Sequence, residues 1–211
     1  AMLPTACAVI ARPARHERAG GLLLAPGQSL YCNGNAFHTL YTVHSGALRA
    51  VVSLADGRDQ VCAFHLPGDV VGLDGIGEGR HTVTVTALED TELVAVAYGS
   101  PALQWQLNQL MSHEIVRGKR MLLLLGSLSA SERLATFLLD LAPRARVPGQ
   151  RAGEFVLCMT RADIGSYLGL SLETVSRTFS SLQREHWLQV HKRQVRINHL
   201  DGFAPPSTLP G

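Results

Sequence analysis

Residues 159–183, MTRADIGSYLGLSLETVSRTFSSLQ, carry the pattern that decides the fold. Thr160 and Asp163 are spaced like a capping box, with Asp in place of the usual Glu, and predict the start of a helix. Gly169 is suited to end that helix, and Ser171 is suited to cap the next one. Two short helices joined by a turn of about three residues that contains Gly form a helix-turn-helix, so one is predicted here.

The second helix places three polar residues on one face. In a helix-turn-helix this helix enters the major groove of DNA, and Glu173, Ser176 and Arg177 lie within about one turn of one another. Arg177 can bind guanine O6 and N7, Glu173 can accept from cytosine N4, and Ser176 can contact either kind of edge. Val175 and Phe179 are predicted to face inward. The alternative interpretation is an ordinary surface ion pair between Glu173 and Arg177.

A basic hairpin, or wing, is predicted after these helices. The stretches WLQV and VRIN flank residues 191–194, HKRQ. Phosphate contacts position such a domain on DNA without specifying sequence. The residues placed for them are Thr160, Arg161, Ser171, Thr174, Lys192 and Arg193.

Charged residues are distributed unevenly along the chain, and the excess of basic residues in the C-terminal part favours a nucleic-acid partner for that part. Residues 1–100 contain 6 Lys or Arg and 9 Asp or Glu, a net charge of −3, whereas residues 143–200 contain 9 and 4, a net charge of +5. A basic C-terminal part is typical of a surface that binds a polyanion, although charge alone does not exclude chance clustering.

The front part is predicted to be a β-roll or barrel. From residue 27 to residue 96 short alternating segments are separated by turn residues. Asp56-Gly57 lies between two apolar runs and is the strongest hairpin signal in the chain, and Ser45-Gly46 is a second, hairpin-like break. The fold class predicted is therefore α+β, with an N-terminal β-roll that resembles a jelly roll.

One long helix is predicted to begin at Pro101 and to carry a dimer contact. Residues spaced by three and four form a heptad seam on a helix about 40 Å long. The predicted interface residues are Asn108, Met111, Ile115, Gly118, Leu122 and Leu125. The alternative is packing of this seam against the chain's own β domain.

A second helix is predicted from Ser131, as its N-cap, to Pro143. The predicted domains are a β-roll sensor domain over 1–100, a dimerisation helix over 101–128, a winged helix-turn-helix over 129–200 and a tail over 201–211.

Composition and cysteine content favour the cytoplasm. Hydrophobic residues make up 46% of the chain, enough for a packed core, but no aliphatic run is long enough to span a membrane. The N-terminus lacks the basic start and apolar block of a signal peptide. The four cysteines have no paired spacing, which predicts reduced thiols.

The stretch from Met159 resembles the helix-turn-helix of the CRP/FNR family of bacterial transcription regulators, and Glu173, Ser176 and Arg177 have the spacing of its FNR and FixK class. LYTVHSGALRA, FHLPGDVVGLDGIG and residues 110–141 are also similar to FNR relatives, so the resemblance covers roughly residues 25–200. CRP carries Arg where this chain has Leu172, and Leu172 is therefore included among the expected base contacts. The resemblance implies a homodimer bound to a palindrome similar to TTGAT-N4-ATCAA, and a transcription activator that contacts RNA polymerase.

The departures from the family pattern concern its cofactors. FNR holds a [4Fe-4S] cluster with N-terminal cysteines and one β-roll cysteine, but this sequence has only Cys7 near its start and Ala95 at the β-roll position. Cyclic-nucleotide binding in CRP uses a Glu and an Arg-Ser pair, and Leu73 and His81-Thr82 occupy those places. The expectation is a regulator with no cofactor, no metal site and no catalytic residues.

Other interpretations stay open at this point. The β-roll could be a ligand- or haem-gated sensor, or it could carry a His/Cys metal enzyme, since the chain has nine histidines. Cys158 could be a redox thiol, although such residues are more often buried hydrophobes. The turn of Asp56, Gly57, Arg58 and Asp59 corresponds to one that contacts polymerase in FNR relatives, and Arg58 departs from the acidic residue found there.

Overall fold

The computed structural model describes residues 21–54, 56–96, 101–146, 149 and 151–198. The chain divides into two compact units between His113 and Glu114, within one long helix. The predicted tail over 201–211 lies outside the described residues, and the predicted domain boundaries remain predictions.

The described residues of the first unit form eight strands in two four-stranded antiparallel sheets. The strands are β1 (Leu22–Leu24), β2 (Ser29–Tyr31), β3 (Leu40–Ser45), β4 (Leu48–Ser53), β5 (Asp59–His65), β6 (Val70–Val71), β7 (Thr84–Ala87) and β8 (Thr91–Val96), with a 3-10 helix at Leu73–Gly75. The sheet orders are β1-β8-β3-β6 and β2-β7-β4-β5. The predicted β-roll is therefore confirmed.

Alternating burial explains why these segments form sheets around one core. In β7 the side chains alternate between half-buried and buried, with Val85 and Ala87 inside. The core cluster consists of Leu24, Leu30, Tyr31, Val43, Leu48, Ala50, Val71, Val85, Ala87 and Leu93.

The two turn predictions have different outcomes. Asp56-Gly57 joins β4 to β5, which pair from Leu48–His65 to Ser53–Asp59, so this hairpin is confirmed. The break at Ser45-Gly46 is not a hairpin, because β3 and β4 belong to different sheets. Gly46 is a corner at which the chain crosses from one sheet to the other.

Two helices follow the strands. α1 covers Pro101–Ser127, in agreement with the predicted long helix, and α2 covers Ala130–Arg144. The N-cap of α2 is Ser129 and not Ser131, because Ser129 and Glu132 form a complete capping box. The α2 prediction was two residues late at its start.

The second unit ends in a winged helix-turn-helix. Its elements are β9 (Glu154–Val156), α3 (Arg161–Leu168), α4 (Leu172–Arg184), β10 (Leu188–His191) and β11 (Gln194–Ile197). The three strands form one antiparallel sheet in the order β10-β11-β9. β9 was not predicted: it begins at Glu154, the last residue of the polar stretch 143–154, and contains only two apolar residues, Phe155 and Val156. Ile164, Leu168, Val175 and Leu188 are fully buried in this unit.

Among the helices described, none is both long enough and apolar enough to cross a membrane.

Candidate nucleic-acid interface

The start and end of α3 are fixed by local hydrogen bonds. The Thr160 side chain accepts from the Asp163 N–H at 3.1 Å, and the Asp163 carboxylate accepts from the Thr160 N–H at 3.0 Å. At the other end Gly169 has φ +64°, in the left-handed region, and the next N–H, of Leu170, donates to the Gly165 carbonyl at 2.9 Å. The predicted capping box and glycine stop are therefore confirmed.

The direction of α4 is fixed by its cap and by its buried face. The Ser171 hydroxyl accepts from the Thr174 N–H at 3.1 Å, as the sequence predicted. Val175, Phe179 and Leu182 are buried against the rest of the unit. The buried face anchors the helix, so its opposite face is held out toward solvent.

The exposed face of α4 brings together the four residues predicted to contact bases. Leu172 is 55% exposed, and Ser176 is exposed. The side chains of Glu173 and Arg177 are 79% and 72% exposed, and their nearest charged atoms are 3.9 Å apart. This ion pair is long and solvated, so it contributes little to stability and both side chains remain able to contact a partner.

Arg161 occupies a different environment from the other predicted phosphate contacts. Its guanidinium carbon lies 3.2 Å from the centroid of the Phe179 ring. Burial lowers the pKa of Arg161 to about 10, so the group stays charged at neutral pH. Its Nη1 is buried and has no hydrogen-bond partner among the described residues. Arg161 therefore supports α4 from beneath while it keeps a positive charge at the start of α3.

The structure gives the two basic residues at the tip of the wing different surroundings. Lys192 is exposed and has φ +56°, a turn conformation between β10 and β11. Arg193 donates from Nε to the Leu157 carbonyl at 3.0 Å and from Nη2 to the Cys158 carbonyl at 2.7 Å. Arg193 therefore links the wing to the segment after β9, and both residues are exposed.

Sequence reasoning missed part of the polar surface beside α4. A shallow groove is lined by the exposed side of α4 together with Ser131 of α2, and it also includes Ser180 and Arg184. Residues 177, 180 and 184 have the three-four spacing of one helix face, and this signal was present in the sequence.

Comparison with known proteins agrees with this architecture. Residues 22–100 match the family model of the cyclic nucleotide-binding domain, and residues 132–204 match that of the Crp-like helix-turn-helix domain. The transcriptional regulatory protein btr of Bordetella pertussis is 40% identical over 185 residues, which cover 84% of this chain and 76% of btr. The chain belongs to the CRP/FNR family.

Further members of the CRP/FNR family are similarly close. The transcriptional activator protein FnrA of Stutzerimonas stutzeri is 39% identical over 84% of this chain and 76% of FnrA. The structure of FixK2 from Bradyrhizobium japonicum has a TM-score of 0.76 and 35% identity, and the match covers 86% of this chain and 93% of FixK2. The resemblance seen in the sequence is thus confirmed at the level of family and fold.

The predicted dimer seam lies on a largely exposed part of α1. Met111, Ile115 and Leu122 are 44%, 58% and 73% exposed. Val116 and Leu123, which were not in the predicted seam, are also exposed apolar residues. Asn108 and Gly118 are exposed as well, whereas Leu125 is half-buried with a methyl group beside Gly169 of the same unit.

The predicted polymerase contact forms an ordered hairpin tip. Arg58 donates from Nε to the Asp56 carboxylate at 2.7 Å, and its backbone N–H donates to the same group at 3.0 Å. The Ser53 hydroxyl donates to Asp59 at 2.8 Å. Both carboxylates of the turn are exposed and held in place by neighbours within the hairpin.

The structure bears differently on the redox interpretation of Cys158 and on the prediction of reduced thiols. Cys158 is 7% exposed, which is the environment of a buried hydrophobe and not that of a reactive thiol. Cys32 is disulfide-bonded, so the expectation of reduced thiols is wrong for this residue. Within the described part of the chain no group of three or more His, Cys, Asp or Glu side chains could hold a metal ion.

Proposed function

We propose that this transcription regulator is a homodimer that binds a palindrome similar to TTGAT-N4-ATCAA and inserts α4 of each protomer into the major groove. The observation that carries the proposal is the outward face of α4. Leu172, Glu173, Ser176 and Arg177 are all exposed on this face, while the opposite side of the helix is buried.

Specificity is assigned to three side chains. Arg177 donates two hydrogen bonds to a guanine, and Glu173 accepts from a cytosine amino group. The Ser176 hydroxyl donates to the Leu172 carbonyl at 2.9 Å, so it presents acceptor lone pairs to a base edge. Their spacing is that of the FNR and FixK class, which favours the TTGAT half-site.

Affinity is assigned to contacts with the phosphate backbone. Arg161 contributes a charge at the start of α3, and Lys192 contributes one at the tip of the wing. The exposed caps Thr160 and Ser171, together with Thr174, lie at the first turns of the two helices, where N–H groups and hydroxyls favour anions. Arg193 is already bonded to two carbonyls, so its role is to position the wing.

Dimerisation is assigned to the exposed apolar face of α1. Met111, Ile115 and Leu122 present large apolar surfaces that a second copy would cover, and Gly118 has open space around it. A two-fold dimer presents two α4 helices to the two halves of a palindrome.

Two further expectations belong to this proposal. The regulator acts as an activator in the cytoplasm, with the Asp56–Asp59 hairpin tip as its contact with RNA polymerase. DNA binding proceeds in air without an iron–sulfur cluster, because a cluster needs four thiolates while the four cysteines are scattered along the sequence and Ala95 stands at the β-roll ligand position.

Aerobic titration of labelled DNA tests the proposal. The untreated protein is titrated with a TTGAT-N4-ATCAA duplex and with a scrambled duplex of the same composition, at one salt concentration. We expect at least about a thousand-fold tighter binding to the palindrome, in the range of specific over non-specific binding. Equal affinity for the two duplexes would contradict the proposal, as would binding that requires anaerobic iron–sulfur reconstitution.

A further inference from the structure

The β-roll unit contains a polar cluster that the DNA-binding proposal does not use. The carboxylate of Asp74 is at its centre and accepts from four groups. Its Oδ1 is 3.1 Å from the Tyr31 hydroxyl and 3.3 Å from Nδ1 of His81. Its Oδ2 is 2.8 Å from the backbone nitrogen of Thr82 and 3.4 Å from that of Val83. Tyr31 belongs to β2, and His81, Thr82 and Val83 belong to the segment before β7, so the anion site joins two parts of the chain that are distant in sequence.

The donors of this site are held rigidly. The His81 ring is 5% exposed and stacks on Tyr31, with 3.5 Å between ring centroids and 10° between ring planes. Phe37 contacts the same imidazole edge-on at 5.7 Å. A Cβ at Gly75 would lie 2.7 Å from the Phe37 ring, so only glycine lets the 3-10 helix approach this closely. The geometry therefore holds Asp74 in the site.

The electrostatics agree with an ionised carboxylate. Burial by itself raises the pKa of Asp74, but the bonds from His81, Thr82 and Tyr31 and the attraction of His81 outweigh it, so the net shift is downward. Burial, followed by the charge of Asp74 and the bond to it, raises the pKa of Tyr31, which keeps its hydroxyl protonated as a donor. The cluster thus stabilises a negative charge inside the unit.

A cyclic nucleotide, the ligand implied by the domain's family, does not fit these residues. The expected phosphate-binding places are His81 and Thr82, and both already donate to Asp74. A nucleotide phosphate at the same donors would face a carboxylate of like charge at hydrogen-bond distance, which is strongly unfavourable in a partly buried site. The donors suit an anion, and the anion that they contact is the carboxylate of Asp74.

We propose that Asp74 is the resident anion of the β-roll, a side-chain carboxylate that fills the site in which the family places a nucleotide phosphate. The inference concerns the first unit alone and does not depend on the DNA-binding proposal. It makes a specific chemical prediction: when the Asp74 side chain is removed, the same donors bind a small external carboxylate.

Thermal unfolding of the full chain with formate tests this assignment. Sodium formate is exchanged for sodium chloride at constant ionic strength, and the Tm of each variant is recorded. We expect Asp74→Ala to melt several degrees below the wild type and formate to raise its Tm in a saturable way. Asp74→Asn, whose amide fills the same space, should melt lower but should not respond to formate. Asp69→Ala removes another carboxylate of this unit that accepts a backbone N–H, from Leu66, and serves as the control.

The proposal is overturned if formate raises the Tm of all variants equally, or if Asp74→Ala melts like the wild type. A second experiment uses the wild-type protein, so its result does not depend on how the variants fold. Calorimetric titration of the wild type with cAMP should give no binding heat. In thermal unfolding, cAMP should leave the Tm of the wild type unchanged. Saturable cAMP binding by the wild type would show that the donors are available and would also overturn the proposal.

Discussion

The central guanidinium carbon of Arg161 lies over the Phe179 ring, 3.2 Å from the ring centroid. Arg161 is the first residue of α3, and Phe179 lies in the buried face of α4. This contact joins α3 to α4, the helix to which we assign the base contacts. Arg161 thus packs against α4 while it keeps its positive charge at neutral pH.

Replacement of Arg161 should therefore reduce stability as well as DNA affinity. We expect Arg161→Ala to lower the free energy of unfolding by about 1–2 kcal/mol, the range for a partly desolvated cation–π contact with its packing. Urea unfolding at neutral pH measures this loss. Arg151→Ala removes the same charge from an exposed position and should leave stability within about 0.5 kcal/mol of the wild type. Equal stability of the two variants would show that the contact with Phe179 is unimportant.

Arg177 should determine sequence preference. We expect Arg177→Ala to cost about 1–3 kcal/mol on a TTGAT-type site and to relax the preference at the guanine that it contacts. Binding isotherms on duplexes substituted at each half-site position measure both effects. If affinity fell equally on specific and random DNA, Arg177 would be a phosphate contact and its assignment to a base would be wrong.

Lys192 should contribute to overall DNA affinity and not to sequence preference, since it lies exposed at the tip of the wing. Lys192→Ala should weaken binding to all sequences alike and lower the slope of log K against log salt by about one. Titrations at several salt concentrations test this expectation. An unchanged slope would place Lys192 away from the phosphates.

The helix-turn-helix was predictable because its signals are local. The cap at Thr160, the stop at Gly169 and the cap at Ser171 each depend on residues within four positions, and all three are as predicted. The start of α2 was missed although its signal was equally local, since Glu132 follows Ser129 by three residues.

Long-range features were not predictable in the same way. β9 is only three residues long and is held as a strand by pairing with β11, about forty residues further along the chain. The corner at Gly46 has the pattern of a hairpin, and only the tertiary structure places β3 and β4 in different sheets. The Asp74 site includes Tyr31, which lies 43 positions before Asp74 in the sequence, so no local pattern indicates it.

The dimer assignment predicts the effect of a charge on α1. Ile115→Glu would place like charges across a two-fold seam and should shift the protein to monomer. Sedimentation velocity measures the shift. His113→Glu is the matched control, because it introduces the same charge about 200° around the helix from residue 115 and should leave the dimer intact. A dimer that persists with Ile115→Glu would rule out this face of α1.

The lowered pKa of Asp74 predicts how the stability of the β-roll changes with pH. Because its folded-state pKa is below the unfolded value, the contribution of Asp74 is fully present above the ordinary carboxyl pKa of about 4 and is lost as pH falls from there through the lowered folded-state pKa. The Tm difference between the wild type and Asp74→Asn should therefore be largest near neutral pH and shrink in acid. A difference that is constant from neutral pH to pH values below about 3 would contradict an ionised carboxylate in this site.

Selection of bound sequences from random DNA, in air and with no added effector, tests the central claim most directly, since it assumes neither the target nor a ligand. We predict enrichment of an inverted repeat similar to TTGAT-N4-ATCAA by the wild type, and loss of its guanine preference with Arg177→Ala. No enrichment, or enrichment of a single unrelated half-site by the wild type and by Arg177→Ala alike, would contradict the account.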